Sequence, residues 1–213
     1  HPNSRYTYGY KKSTVLVSLL NAVILLVAVG IIITESIEKL FHPVPVEGAA
    51  IAWTAGVGVV INAVTAWLFM KDKEKDLNVK GAYLHMAADA VVSVGVVVAG
   101  ALYLWQGWLW IDAVVGLIIA IIIILGTFSL FRQSLHLLFD GVPDQINLLE
   151  VRNCLLNIPS VVDLHDLHIW SMSTLENALT VHVVYDDNLQ TANTLLAEIT
   201  EALHHHFDLK HVT

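Results

Sequence analysis

The sequence predicts an α-helical membrane domain followed by a small α/β unit, and three observations lead there. Of its 213 residues 56% are hydrophobic and only 14% charged, with a mean hydropathy of +0.66, which is too apolar for a soluble domain of this length. Runs of about 20 residues, nearly free of charge, recur along the first part of the chain, each long enough to cross a bilayer as a helix. Charge is also unevenly placed: residues 1–135 carry 9 Lys/Arg against 8 Asp/Glu, whereas 136–213 carry 2 against 11. The expected division is therefore a transmembrane domain over 1–140 and a separate acidic domain over 141–213.

The first two spans are charge-free, at 15–34 and 48–70. The third, at about 79–105, is apolar but contains His85 and Asp89. After the Gln106-Gly107 break a fourth covers 112–131. Arg5, Lys11 and Lys12 precede the first span, Lys71, Lys73 and Lys75 separate the second from the third, and Arg132 ends the fourth. Positive charge marks the cytoplasmic side, so both termini and the acidic tail are expected there, with Lys39 a minor exception. Trp105, Trp108 and Trp110 suit an interfacial aromatic belt on the other side. Asn62 reads as an interhelical hydrogen-bonding residue, Asp112 as a hydrated group near the interface, and the 71–76 charge run as a solvated loop.

In the tail, Leu148, Val151, Leu155 and Ile158 recur at helical spacing between Pro143 and Pro159 and predict a helix over 143–158. Two alternating segments follow, Leu167, Ile169 and Ser171 against His168, Trp170 and Met172, then Leu179, Val181 and Val183 against Thr180, His182 and Val184. Ala192, Leu195, Leu196, Ile199 and Leu203 form a second helical stripe, and a further strand begins near Leu209. The order αββαβ is ferredoxin-like. About 70 residues give a limited core, so dimerisation or bound metal should support it.

The chemistry lies in the third span. The four-residue gap in His85-Met86-Ala87-Ala88-Asp89 puts an imidazole and a carboxylate on one helix face, with Asp89 about 15 Å into the helix, near the bilayer midplane. A carboxylate there costs about 2.5–3.5 kcal/mol on insertion scales and by default marks an ion pathway or metal site; a structural Asp–His hydrogen bond is the plainer alternative. Neutral imidazole and carboxylate oxygen suit zinc, and this helix supplies two of the four ligands of a tetrahedral shell. With Cys154 the single cysteine, multi-cysteine zinc knuckles, intramolecular disulfides and CxxC redox sites are excluded. Nucleic acid is excluded as a partner by the scarcity of Lys and Arg in the tail. HExxH, nucleophile–base and Gly-rich phosphate motifs are absent from the sequence, so we expect neither an enzyme nor any catalytic or cofactor-binding residue.

Residues 78–95, with His85-x3-Asp89-x3-Ser93, resemble the fifth transmembrane helix of cation diffusion facilitators, and Asp166-Leu167-His168-Ile169-Trp170-Ser171 resembles their cytoplasmic domain. Tyr6-Thr7-Tyr8-Gly9-Tyr10 is similar to the loop entering that family's third helix. The four spans then correspond to helices three to six of a six-helix bundle, and the chain is expected to begin in mid-protein. The resemblance implies an integral plasma (inner) membrane exporter that exchanges cytoplasmic divalent metal for protons and dimerises through its cytoplasmic domain. Zinc is the first choice of cargo, with His85 and Asp89 as metal ligands completed by a His/Asp motif on the family's second helix. Histidine at 85 resembles zinc-type members, though Cd, Co, Fe and Mn exporters remain open, as does a non-transporting membrane-anchored sensor or assembly partner. The resemblance also marks His165 and His182 as ligands of a second, regulatory zinc ion. Asn3, Tyr6 and Tyr10 stand where some members have further ligands, and no metal is assigned there. His168 is expected to be a core histidine, and His204, His205 and His206 a solvated helix end.

Overall fold

The computed structural model describes residues 3–42 and 48–213, without the side chains of 48–54 and 103–104. The connection expected at 42–47 lies outside the described residues except for His42. The chain forms two compact units, one of residues 17–134 and one of 1–16 together with 135–213.

Four helices run through the first unit: α1 (Ser13–Phe41), α2 (Gly48–Phe69), α3 (Leu77–Gln106) and α4 (Ile111–Leu138). Among the described residues, α1, α3 over Leu77–Leu102, and α4 are long and apolar enough to cross a membrane. In α2 the apolar stretch with described side chains is the shorter Ala55–Phe69. Helices α1 and α4 outrun the charge-free stretches at 15–34 and 113–131, because a helix keeps its backbone bonds when its end turns carry charge. Glu35, Glu38, Lys39 and Arg132 all lie within regular helix.

Small residues let these helices approach closely, as expected where lipid tails are as apolar as the side chains. A Cβ at Gly116 would collide with Ser36 of α1, one at Gly95 would meet Ile119 of α4, and one at Gly81 would lie 2.7 Å from the Asn21 amide nitrogen. Ser18, Ala22, Leu25 and Val29 of α1 are buried, as are Ala113, Ala120, Ile123, Thr127, Leu130 and Ser134 of α4. Both sets are spaced mainly by three and four residues, the mark of a helix–helix seam. Asp112 differs from expectation: its carboxylate lies 2.7 Å from Lys39 Nζ on α1. The exceptional lysine of the first span is thus the partner of the acid of the fourth.

The tail is built from α5 (Leu148–Leu156), β1 (Val161–Ser171), β2 (Asn177–Tyr185), α6 (Ala192–Phe207) and β3 (His211–Val212). The order αββαβ agrees with the sequence. Sheet order is β1-β2-β3, with β1 and β2 antiparallel and β3 parallel to β2. Helix α5 is shorter than the predicted 143–158, because the Asn147 side chain accepts the Leu149 N–H at 3.0 Å and starts the helix there. Val151, Leu155, Ile158, Leu164, Ile169, Leu179, Leu195, Ile199, Leu203 and Leu209 form one core. Leu148 and Leu196, placed in the apolar stripes by spacing, are exposed, and Ile146 joins the core from before the helix.

Beyond α4 the chain is fixed at a close contact. Asp140 is left-handed with φ 58°, and the His136 ring donates from Nε2 to the Val142 carbonyl at 2.9 Å while covering Gly141. A Cβ at 141 would run into that ring. Gly141→Ala should displace His136, break its hydrogen bond and cost about 1–3 kcal/mol, measured by denaturant or thermal unfolding.

Residues 3–16 belong to the same unit. Lys11 pairs with Glu176, and Lys12 with Asp140. Lys12 also donates to the Ser171 carbonyl at 3.3 Å, and Thr14 Oγ1 accepts the Thr174 N–H at 3.1 Å. These bonds form a polar clasp between the start of α1 and the β1–β2 turn. The hydrogen bond from Lys11 holds the Glu176 carboxyl below the usual glutamate range.

Candidate metal centres

The first centre lies on α3. Asp76 starts this helix by accepting the Asn78 N–H at 2.8 Å, and the Asn78 side chain accepts from Ser18 of α1 at 3.0 Å. Two turns further on, His85 Nε2 stands 3.6 Å from Asp89 Oδ2, as the i,i+4 spacing requires. Zinc bonds of about 2.0–2.2 Å in a tetrahedron place neighbouring ligand atoms about 3.4 Å apart, so the pair can share one ion after a small adjustment. Both side chains are partly exposed, whereas the other ring nitrogen, His85 Nδ1, is buried without a hydrogen-bond partner among the described residues. Leaving such a ring nitrogen without a partner costs about 1–3 kcal/mol. Ser93, third in the spaced motif, donates to the Asp89 carbonyl at 2.8 Å and so spends its hydroxyl on the helix backbone. Beside it α2 comes close at Gly58, where a Cβ would stand 3.3 Å from Ser93 Oγ.

The second centre lies on the exposed face of the tail sheet. His165 and His182 are direct cross-strand partners, with ring centroids 5.3 Å apart. Between His165 and His168 the register shifts, so that Asp166 and Leu167 oppose the single Val181 in a β-bulge. Asp166 takes the left-handed conformation, φ 53°, which Asp and Asn tolerate better than other side chains with a Cβ. Its Oδ2 comes 3.2 Å from His182 Nδ1, and one ligand atom from each of His165, Asp166 and His182 lies within 4.8 Å of the others. Two imidazoles and a carboxylate are a suitable donor set for zinc, and all three side chains are exposed enough to rotate inward. Asp166 was not foreseen as a ligand. Its place in the middle of a strand is an atypical one for aspartate and was the available signal.

The other candidates stand apart from both centres. His168 is exposed, not in the core, because it alternates with the buried Ile169 on the regular part of β1; it lines a cavity of about 440 Å³ with Asp140, Val142, Leu148, Leu167, Ile169 and Trp170. His204, His205 and His206 are exposed in the last turn of α6. In the 71–76 loop Lys75 binds Asp72 at 2.7 Å, and Lys73 lies 4.5 Å from the centre of the Tyr83 ring.

An apolar helical unit with a His/Asp pair inside one helix, joined to a small α/β domain with a His/Asp cluster of its own, is the architecture of an integral membrane protein that handles metal ions. Residues 1–139 match the cation efflux transmembrane domain, and 143–213 match the cytoplasmic domain of cation efflux proteins. The chain belongs to the cation diffusion facilitator family. It is 33% identical to the cadmium, cobalt and zinc/H(+)-K(+) antiporter of Bacillus subtilis, over 99% of this chain and 69% of that protein. The metal cation efflux system protein CzcD of Cupriavidus metallidurans is also 33% identical, over 99% of this chain and 67% of its own length. The zinc transporter ZitB of Escherichia coli is 30% identical, over all of this chain and 68% of the relative. The chain thus spans about two thirds of the length of these relatives.

Proposed function

We propose that this chain carries out the efflux of divalent metal, with Zn²⁺ as the principal cargo, by exchange with protons across the plasma (inner) membrane. The observation that carries the reading is the His85–Asp89 pair, 3.6 Å apart within a membrane-spanning helix, in a chain of the cation efflux family. Metal needs neutral imidazole and ionised carboxylate, so protons and metal compete for the same atoms. A site that opens alternately to the two sides then couples their flows. The names of the relatives, which include zinc and proton antiporters, support this cargo and this counter-ion. The further ligands of the shell come from another helix of the full transport bundle.

His165, Asp166 and His182 hold a second ion that regulates the protein, and the cytoplasmic domain is where two copies pair. The reading makes the chain a transporter and not an enzyme. A membrane-anchored sensor is the second reading, favoured by the exposed triad in the tail alone. Zinc loading of proteoliposomes containing the protein separates the two. A transporter accumulates zinc when a pH gradient is imposed and stops when it is collapsed; a sensor binds zinc and leaves the vesicle content unchanged.

A further inference from the structure

Lys11, Asp140, Thr174 and Glu176 of the polar clasp each have an exposed apolar neighbour in sequence. Tyr10 precedes Lys11, Phe139 precedes Asp140, and Leu175 stands between Thr174 and Glu176, with 60%, 77% and 59% of their surfaces accessible. Three large apolar side chains are therefore presented around one group of hydrogen bonds. Thr14 lies in the first turn of α1, which continues as a membrane span, with Lys11 and Lys12 just before it, and Phe139 follows the last residue of α4, another span. The turn between β1 and β2 is hydrogen-bonded at Thr174 to Thr14, in the first turn of α1. Tyr6 and Tyr8 are exposed in the same segment, as is Arg5. Aromatic and aliphatic side chains beside a cation, next to a span, have the composition of an interfacial anchor.

We propose that Tyr10, Phe139 and Leu175 form an apolar collar seated in the headgroup region of the bilayer, through which the β1–β2 turn rests on the membrane surface. Lys11 and Lys12 are spent on Glu176 and Asp140, so the collar is held by burial of its side chains, with Arg5 facing anionic headgroups. The strands that leave this turn carry His165 and His182, so the second metal centre stands on a hairpin anchored at one end to lipid.

The test uses the full chain in liposomes, with Cys154→Ala removing the native thiol and a nitroxide on Leu175→Cys. Leu189→Cys is the control, because Leu189 is equally exposed but lies beside the Ser160–Gln190 hydrogen bond, at the other end of the hairpin. The label at 175 should relax with oxygen and be shielded from a water-soluble nickel chelate, while the label at 189 shows the reverse. Phe139→Cys, labelled in the same way, gives a second reading should Leu175→Cys disturb the turn. Nickel access at 175 and 139 equal to that at 189 overturns the proposal. So does exclusion of both reagents, which would place the collar against protein, including a second copy of the chain.

Discussion

Asp89→Ala abolishes metal-driven proton release and lowers zinc flux by at least about 100-fold, since removal of even an outer partner of a metal ligand costs 10–100-fold. The carboxylate is one of two groups that α3 brings within 3.6 Å, and the substitution leaves His85 alone on that face. Ala favours helix more than Asp does, so α3 should be preserved. Helix content by circular dichroism should therefore stay at the parent value while transport is lost. Proton release that persists in the variant would remove Asp89 from the exchange and with it the coupling described above. Asp89→Asn sharpens the result, because the amide keeps the shape and a carbonyl acceptor but does not exchange a proton near neutral pH.

Zinc added to the protein raises its unfolding temperature, and His182→Ala removes most of that increment. A ligand present at about 100 times its dissociation constant stabilises the folded state by about 2.7 kcal/mol, provided it ignores the unfolded chain. His182 touches both other members of the triad, Asp166 at 3.2 Å and the His165 ring across the strand pair, so its loss leaves two ligands on a single strand. The side chain is exposed, and its removal should change the metal-free stability little. Asp166→Asn provides a complementary case: Asn accepts the left-handed backbone of the bulge but supplies no charge, so it should weaken zinc binding while leaving the sheet intact. An unchanged zinc increment in both variants would move the second ion away from this hairpin.

The two candidate centres were legible in the sequence to different degrees, for a physical reason. His85 and Asp89 sit in one helix, where a four-residue separation already determines that the groups share a face. His165 and His182 belong to different strands, and alternation counted back from buried Ile169 would have put His165 inward. The bulge at Asp166 reverses that parity and turns His165 outward beside His182. A single residue in the left-handed conformation therefore decides where His165 points, and it adds to the two histidines a candidate ligand that hydropathy does not mark.

Composition, charge asymmetry and the spacing of residues were enough by themselves to define an apolar helical domain, an acidic αββαβ tail and a face of the third span that carries both His85 and Asp89. These are properties of one segment at a time, governed by burial and local periodicity. What needed the tertiary structure were the contacts between segments: Lys39 with Asp112, the seam where Gly116 meets Ser36, the clasp from Lys11, Lys12 and Thr14 to the β1–β2 turn, and the His165–Asp166–His182 cluster. Such pairings depend on strand register, helix rotation and the approach of backbones distant in sequence, and local propensity carries no information about them.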